Sequence, residues 1–299
     1  MTPDWIAVDW GTTNLRAWAM NRSGEVLAET RSSAGMSSAR EIGFETALLA
    51  SISDWLSPNG TTLVLAAGMV GARQGWIEAP YCEVPCAGVP ADQYTQAPTS
   101  DPRLDVRILP GLCQSDPADV MRGEETQIFG FLSEDPGFEG VICLPGTHSK
   151  WVNVSEGQMH SFQSVMTGEL FALLAKTSVL QHSITQGWDD SAFLQGVQNG
   201  LETPGALTGM LFEIRAKTLL SETTKGWAAA RLSGLLIGAE IAGAGIAGKS
   251  VALISDEKLS ARYATALKFS GFDPTLHDAS AASRKGLHAA YLSLTGDSQ

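Results

Sequence analysis

The sequence predicts an α/β protein built from one supersecondary unit used twice. Three observations carry that expectation. An apolar strand runs into a Gly-Thr turn and a returning strand at residues 6–18, and the same run recurs at residues 139–152. A third strand and then a helix follow each copy. At 299 residues the chain has room for two domains, at ~150 residues each. One unit used twice implies duplicated domains with mixed sheets facing each other across a cleft.

The elements follow in order. Residues 6–10 are apolar apart from Asp9 and read as a buried strand, and 15–20 as its return. Gly24 to Thr30 alternates after a turn and reads as a third strand. Phe44, Leu48, Leu49, Ile52, Trp55 and Leu56 recur at helical spacing, and Pro58-Asn59-Gly60 ends that helix. Thr61 to Ala67 is a short buried strand. Residues 80–110 look irregular, closed by a strand at 106–109. Asp116 and Pro117 suit the N-cap and first turn of a helix running through 120–132. After the second hairpin come a strand at 158–165 and a helix opening at Thr167 as N-cap. The chain is then mostly helical to about Ala247. Within that stretch, 233–243 presents a small-residue face suited to close packing or to a flat ring. A strand at 251–255, a helix at 256–269 and a last helix at 280–294 complete the chain.

Composition excludes several functions. With 20 basic and 32 acidic residues the net charge is −12, the wrong sign for non-specific attraction to nucleic acid or to an anionic membrane. The N-terminus lacks the pattern of a signal peptide, and the most apolar late segment, 232–247, contains Glu240 and is too short to span a bilayer. A soluble, cytoplasmic protein is expected. Cys82 and Cys86 have no matching Cys/His pair, so the cysteines are expected to be reduced thiols and not zinc ligands. No stretch specifies an oligomeric state.

The chemistry-bearing residues sit at strand ends and loops. Gly11, Thr12 and Thr13 offer backbone N–H groups and two hydroxyls to an anion. Asp9 beside them can hold hydrated Mg²⁺, which prefers oxygen ligands. Together they suggest a nucleotide phosphate, although an ordinary hairpin capped by its Asp has the same pattern. Gly146, Thr147 and His148 repeat the tip, and two such turns could clamp one triphosphate from both sides. In the Gly-rich loop 67–81, Arg73 can take a carboxylate, Gln74 can read hydroxyls and Trp76 can supply an apolar wall. Arg122, Glu124 and Glu125 form a polar patch on a helix, readable as catalytic or as a solvated face.

Five motifs now align with a known family: 8–16, 68–76, 121–127, 144–151 and 167–171. In their order they resemble the 2-dehydro-3-deoxygalactonokinases, within the actin/hexokinase/Hsp70-type phosphotransferases. The resemblance implies two duplicated actin/ribonuclease-H-like domains. Residues 1–115 with a helix at about 280–296 would bind the sugar acid, and 116–279 the nucleotide. It implies an ATP- and Mg²⁺-dependent kinase acting on the terminal (6-) hydroxyl of 2-dehydro-3-deoxy-D-galactonate, a small-molecule substrate. It further implies an adenosine side carrying Gly234, Gly238 and Ser255, and substrate contacts from Arg73, Gln74, Trp76 and Arg122. The helix 121–127 is similar to the Glu-Glu helix of exopolyphosphatases, which points to Glu125 as general base. Glu124 would then be structural, pairing with Arg122 or Arg73, while Asp9 serves the metal; Asp9 as the base is the competing assignment. Phosphohydrolase activity, the glucono epimer as substrate, and a nucleotide-binding regulator without turnover remain alternatives.

Overall fold

The structure, a computed structural model, describes residues 2–88 and 93–296. They form two compact units, one of Met1–Phe138, Val154–Ser161 and Ala279–Gln299, the other of Glu139–Asn153 and Phe162–Asp278.

In the first unit, β1 (Trp5–Trp10), β2 (Leu15–Met20) and β3 (Val26–Ser32) form an antiparallel meander. Helices α1 (Met36–Ile42) and α2 (Phe44–Ile52) lead to β4 (Thr62–Gly68), which lies parallel to β1. Next come β5 (Tyr81–Glu83), β6 (Thr95–Gln96) and β7 (Leu104–Ile108). The sheet order is β3-β2-β1-β4-β7-β6. Strand β1 is buried on both faces, which is why it reads as a nearly continuous apolar run. Ile6, Val8 and Trp10 pack with Leu48 and Ile52 of α2 on one side. Trp5 and Ala7 pack on the other with Leu287 and Tyr291 of α9 (Ala279–Thr295).

Three expectations for this unit are corrected. Residues 116–121 are not a helix start. They are the turn and second strand of a hairpin, β8 (Gly111–Ser115) with β9 (Ala118–Met121), which joins β5 in a second, 3-stranded sheet. Asp and Pro serve a turn as readily as a helix N-terminus, and Gln114 Nε2 locks this one by donating to Pro117 O at 2.7 Å. The helix, α3 (Glu124–Glu134), begins after Gly123, whose φ of 105° turns the chain out of β9. The described residues of 80–110 are likewise less irregular than expected, holding β5, which pairs with β8, and β6, which pairs with β7. Because α3 packs along α9, the first unit runs through Phe138 and does not end at residue 115.

In the second unit, β10 (Gly140–Leu144), β11 (Ser149–Ser155) and β12 (Gln158–Val165) are followed by α4 (Thr167–Lys176), α5 (Asp190–Glu202), α6 (Leu207–Leu220) and α7 (Trp227–Gly243). Then come β13 (Val251–Ser255), α8 (Glu257–Phe269) and β14 (Thr275–Asp278). The sheet order is β12-β11-β10-β13-β14. It repeats the first sheet: third strand, second, first, the strand after the helical stretch, then one more. The N-cap of α4 is Met166, one residue before the expected Thr167. No helix among the described residues is long and apolar enough to cross a membrane.

Candidate active site

The tip of the first hairpin is held from one side. Gly11 N donates to Asn14 O at 2.9 Å and closes the turn. The carbonyls of Gly11, Thr12 and Thr13 accept from Met36 N, Ser37 N and Gly35 N at 2.9, 3.1 and 3.3 Å. These donors are N–H groups that a helix start leaves without intrahelical partners. Gly35 is required there, since a Cβ would stand 2.2 Å from the Thr13 carbonyl carbon. In a planar trans peptide the N–H opposes the preceding C=O. With the carbonyls turned into α1, the Thr12 and Thr13 amides face away from it, and both residues are exposed.

Asp9 stands at the end of β1, across from Arg16 on β2 and beside Ala67 on β4. Burial raises its pKa; Arg16 opposes this, Glu124 adds to it, and a hydrogen bond from Ser283 on α9 opposes it. Asp9 and Glu124, 115 positions apart in sequence, are therefore electrostatic neighbours. What joins them is close backbone packing: a Cβ on Gly123 would lie 3.2 Å from the Gly68 Cα, so the start of α3 abuts the end of β4.

The two glutamates of α3 have different surroundings. Glu125 is 1% exposed. Its Oε2 accepts from Gly123 N at 2.6 Å and its Oε1 from Thr126 Oγ1 at 3.1 Å. Burial, with Glu124 adding to it, pushes its pKa up to about 8 against the pull of the backbone hydrogen bonds and Arg122. Glu124 is half-buried, and its Oε2 accepts from Arg122 N at 3.2 Å. The expectation was a side-chain pairing with Arg122 or Arg73; this bond goes to the Arg122 backbone.

Arg122 is 8% exposed. Its guanidinium lies 4.2 Å over the Tyr81 ring, and Nη2 donates to Ala79 O at 2.7 Å and Pro80 O at 3.4 Å. It braces the end of the 68–81 loop, where a substrate contact was expected. Arg73 and Gln74 lie exposed on that loop, Arg73 Nε standing 3.4 Å from Glu78 Oε1. Trp76 turns inward, edge-on to Trp10 and stacked with Phe44.

The second tip repeats the construction. Thr147 O accepts from Glu169 N at 2.9 Å, and a Cβ on Gly168 would lie 2.2 Å from Gly146 O. His148 Nε2 is 2.5 Å from Glu169 Oε2. Beside Gly146 is a cavity of about 70 Å³ lined by Thr167, Phe171, Ser233, Leu236, Ile237, Arg262 and Tyr263 among others. Gly234 and Gly238 do not line it. Their Cβ positions fall 2.1 Å from Phe193 O and 2.3 Å from Val197 O, so this glycine face of α7 lies against α5. Successive helical residues point about 100° apart, which is why Ser233 and Ile237, one position earlier, reach the cavity. Ser255 Oγ is bonded to Ser260 Oγ at 2.6 Å and to Asp256 O at 3.2 Å. Sequence reasoning missed Ser233, Ile237 and Arg262. The one-residue offset from the glycines was the available signal for the first two. Among the described residues no three His, Cys, Asp or Glu side chains could together hold a metal ion.

The two units thus share one α/β plan: a sheet ordered third, second, first strand, then the strand after the helical stretch, opening on a Gly-Thr tip tied to a following helix. The family described as DGOK, 2-keto-3-deoxy-galactonokinase, matches residues 9–290, and the chain belongs to it. It is 38% identical over 282 residues to 2-dehydro-3-deoxygalactonokinase of Escherichia coli (strain K12), covering 92% of this chain and 93% of that one. It is 41% identical over 297 residues to a Rhizobium meliloti (strain 1021) protein named "Probable 2-dehydro-3-deoxygalactonokinase DgoK1", with 96% of each covered. The crystal structure of a Sinorhizobium meliloti protein assigned to the same kinase matches with a TM-score of 0.89 at 41% identity, over 97% of this chain and 96% of that one. The family expected from the five motifs is the family found.

Proposed function

We propose that this chain is an ATP-dependent 2-dehydro-3-deoxygalactonokinase that phosphorylates the terminal (6-) hydroxyl of 2-dehydro-3-deoxy-D-galactonate. The observation that carries the reading is the neighbouring pair of Asp9 and Glu124 beside an exposed Gly-Thr-Thr tip. Transfer of the γ-phosphoryl group to an alcohol forms one P–O bond, breaks another and releases the hydroxyl proton, so it needs a nearby acceptor for that proton and a clamp for the phosphates.

Glu124 is the base in this reading. It replaces the sequence choice of Glu125, whose oxygens are both engaged inside the start of α3. Asp9 holds Mg²⁺ through water. The donor set fits that ion, which prefers oxygen ligands and binds through one or two carboxylates while keeping several waters and substrate phosphates. Bound there, Mg²⁺ would neutralise charge on the phosphates.

Arg73 pairs with the sugar-acid carboxylate and Gln74 reads its hydroxyls. The Gly146-Thr147 tip takes nucleotide phosphate, and the cavity beside it takes the nucleoside. Use of ATP suits a cytoplasmic protein.

The test is ADP release, measured by a coupled assay, against a panel of 2-dehydro-3-deoxy sugar acids. Turnover on the galactonate and little on the glucono epimer, on polyphosphate or without acceptor is expected. Turnover without any sugar acid would sink the kinase reading, and preference for the epimer would move the substrate.

A further inference from the structure

Glu240 of α7 is 4% exposed and sits at the centre of a buried polar cluster in the second unit. Its Oε1 accepts from Trp151 Nε1 at 2.8 Å. Its Oε2 accepts from Tyr263 OH at 2.8 Å and from Ser149 Oγ at 3.4 Å, and these two hydroxyls are 3.0 Å apart. The Thr167 side chain also hydrogen-bonds to it. One buried carboxyl group therefore gathers hydrogen-bonding side chains from β11, α4 and α8.

The places these donors occupy matter more than their number. Ser149 lies two residues after Thr147 of the tip. Thr167 lies two residues before Glu169, whose N–H ties the Thr147 carbonyl. Glu240 thus holds both flanks of the tip. Tyr263 and Thr167 also line the cavity beside Gly146. A buried carboxylate that only served packing would not need to reach both the tip and the cavity wall.

We infer that Glu240 is a positioning residue for the nucleotide, acting through Ser149, Thr167 and Tyr263 to set the Gly146-Thr147 tip and the wall of the adjoining cavity. The inference rests on the reading of this unit as the nucleotide side. Glu240→Gln keeps the shape and replaces one acceptor oxygen by a donor. Trp151 Nε1–H can only donate, so the amide oxygen must face Trp151 and the NH₂ must face the hydroxyls. Those hydroxyls then turn to accept, and their protons redirect.

The test is calorimetric binding of a non-hydrolysable ATP analogue, with KM for the sugar acid measured beside it. Glu240→Gln should bind the analogue about 10-fold more weakly, one hydrogen bond's worth, with KM for the sugar acid changed less than about 2-fold. Glu240→Asp should bind more tightly than Glu240→Gln, because it keeps the carboxylate. Tyr263→Phe should weaken nucleotide binding too, and adding Glu240→Gln to it should cost less than it does alone. Should Glu240→Gln not fold, Tyr263→Phe carries the same test. Unchanged nucleotide affinity in folded variants, or equal losses for both substrates, would overturn the positioning role alone. A wild-type protein that binds no nucleotide would overturn the reading beneath it.

Discussion

Glu124 and Glu125 are adjacent in sequence and opposite in circumstance. A general base must be reachable by the hydroxyl it serves, and a carboxylate sealed at a helix start with both oxygens engaged is not. Glu124→Gln should therefore lower kcat by roughly the 10²–10⁴ of general-base loss, with both substrates still binding in equilibrium measurements. Glu125→Gln should retain far more turnover; the reverse ranking would restore Glu125 as base. Glu125 should instead appear in the pH dependence of stability. Its folded pKa of about 8 stands above the ordinary carboxyl value of 4.5, so between these values the folded protein holds a proton that the unfolded chain has released. That contribution is fully present below the unfolded value and is lost as pH rises towards about 8, at a slope of at most ~1.4 kcal/mol per pH unit. Urea midpoints between these limits should fall with pH in the wild type, and less so in Glu125→Gln. Arg73 is exposed, and its contact with the likewise exposed Glu78, at 3.4 Å, is one that an anion can compete for. A charge-assisted bond of roughly 1.5–3 kcal/mol makes Arg73→Lys raise KM for the acid by about one to two decades, because Lys lacks the planar fork. An unchanged KM would remove Arg73 from the site.

Among the elements, α7 combines two jobs on adjacent faces. Its glycines admit the backbone of α5, where Gly196 and Gly200 make the reciprocal close approach. Its neighbouring positions, Ser233 and Ile237, line the cavity. Gly238→Ala would put a methyl 2.3 Å from Val197 O, and such overpacking costs typically 1–3 kcal/mol. The expected readout is a lower unfolding midpoint, with nucleotide affinity lost only as far as the second unit loosens. An unaffected midpoint would mean that the helices can separate at no cost. The β8–β9 hairpin has a comparable part in the first unit. It delivers Arg122 against the 68–81 loop and Gly123 against β4, and so sets where Glu124 begins.

Across the whole molecule, each unit carries its own Gly-Thr tip fastened to a helix that follows, by three carbonyls in the first and by Thr147 O in the second. Ligand affinities should accordingly respond separately. A Cβ at Gly146 meets only His148 O, at 3.7 Å, so Gly146→Val can fold while crowding the approach of a phosphate. Its Kd for the ATP analogue should rise with that for the sugar acid nearly unchanged. Loss of acceptor affinity without loss of nucleotide affinity would invert the assignment of the units.

The repeated hairpin, its apolar strands and its Gly-Thr tips were legible in the chain because they are local. A strand buried on both faces must be apolar, and a tight turn must carry small or polar residues, wherever the rest of the protein lies. The family followed from five such local motifs in order. Long-range packing settled the rest. Asp116-Pro117 suits a helix start and a hairpin turn equally, and pairing of β8 with β9 chose the turn. Gly234 and Gly238 announce a close approach without naming what approaches, and α5 took that place. Glu124 and Glu125 are chemically the same residue. The packing of Gly123 against Gly68 decided which one lies within the electrostatic reach of Asp9 and which is sealed away, because burial and neighbouring charge are properties of position in space.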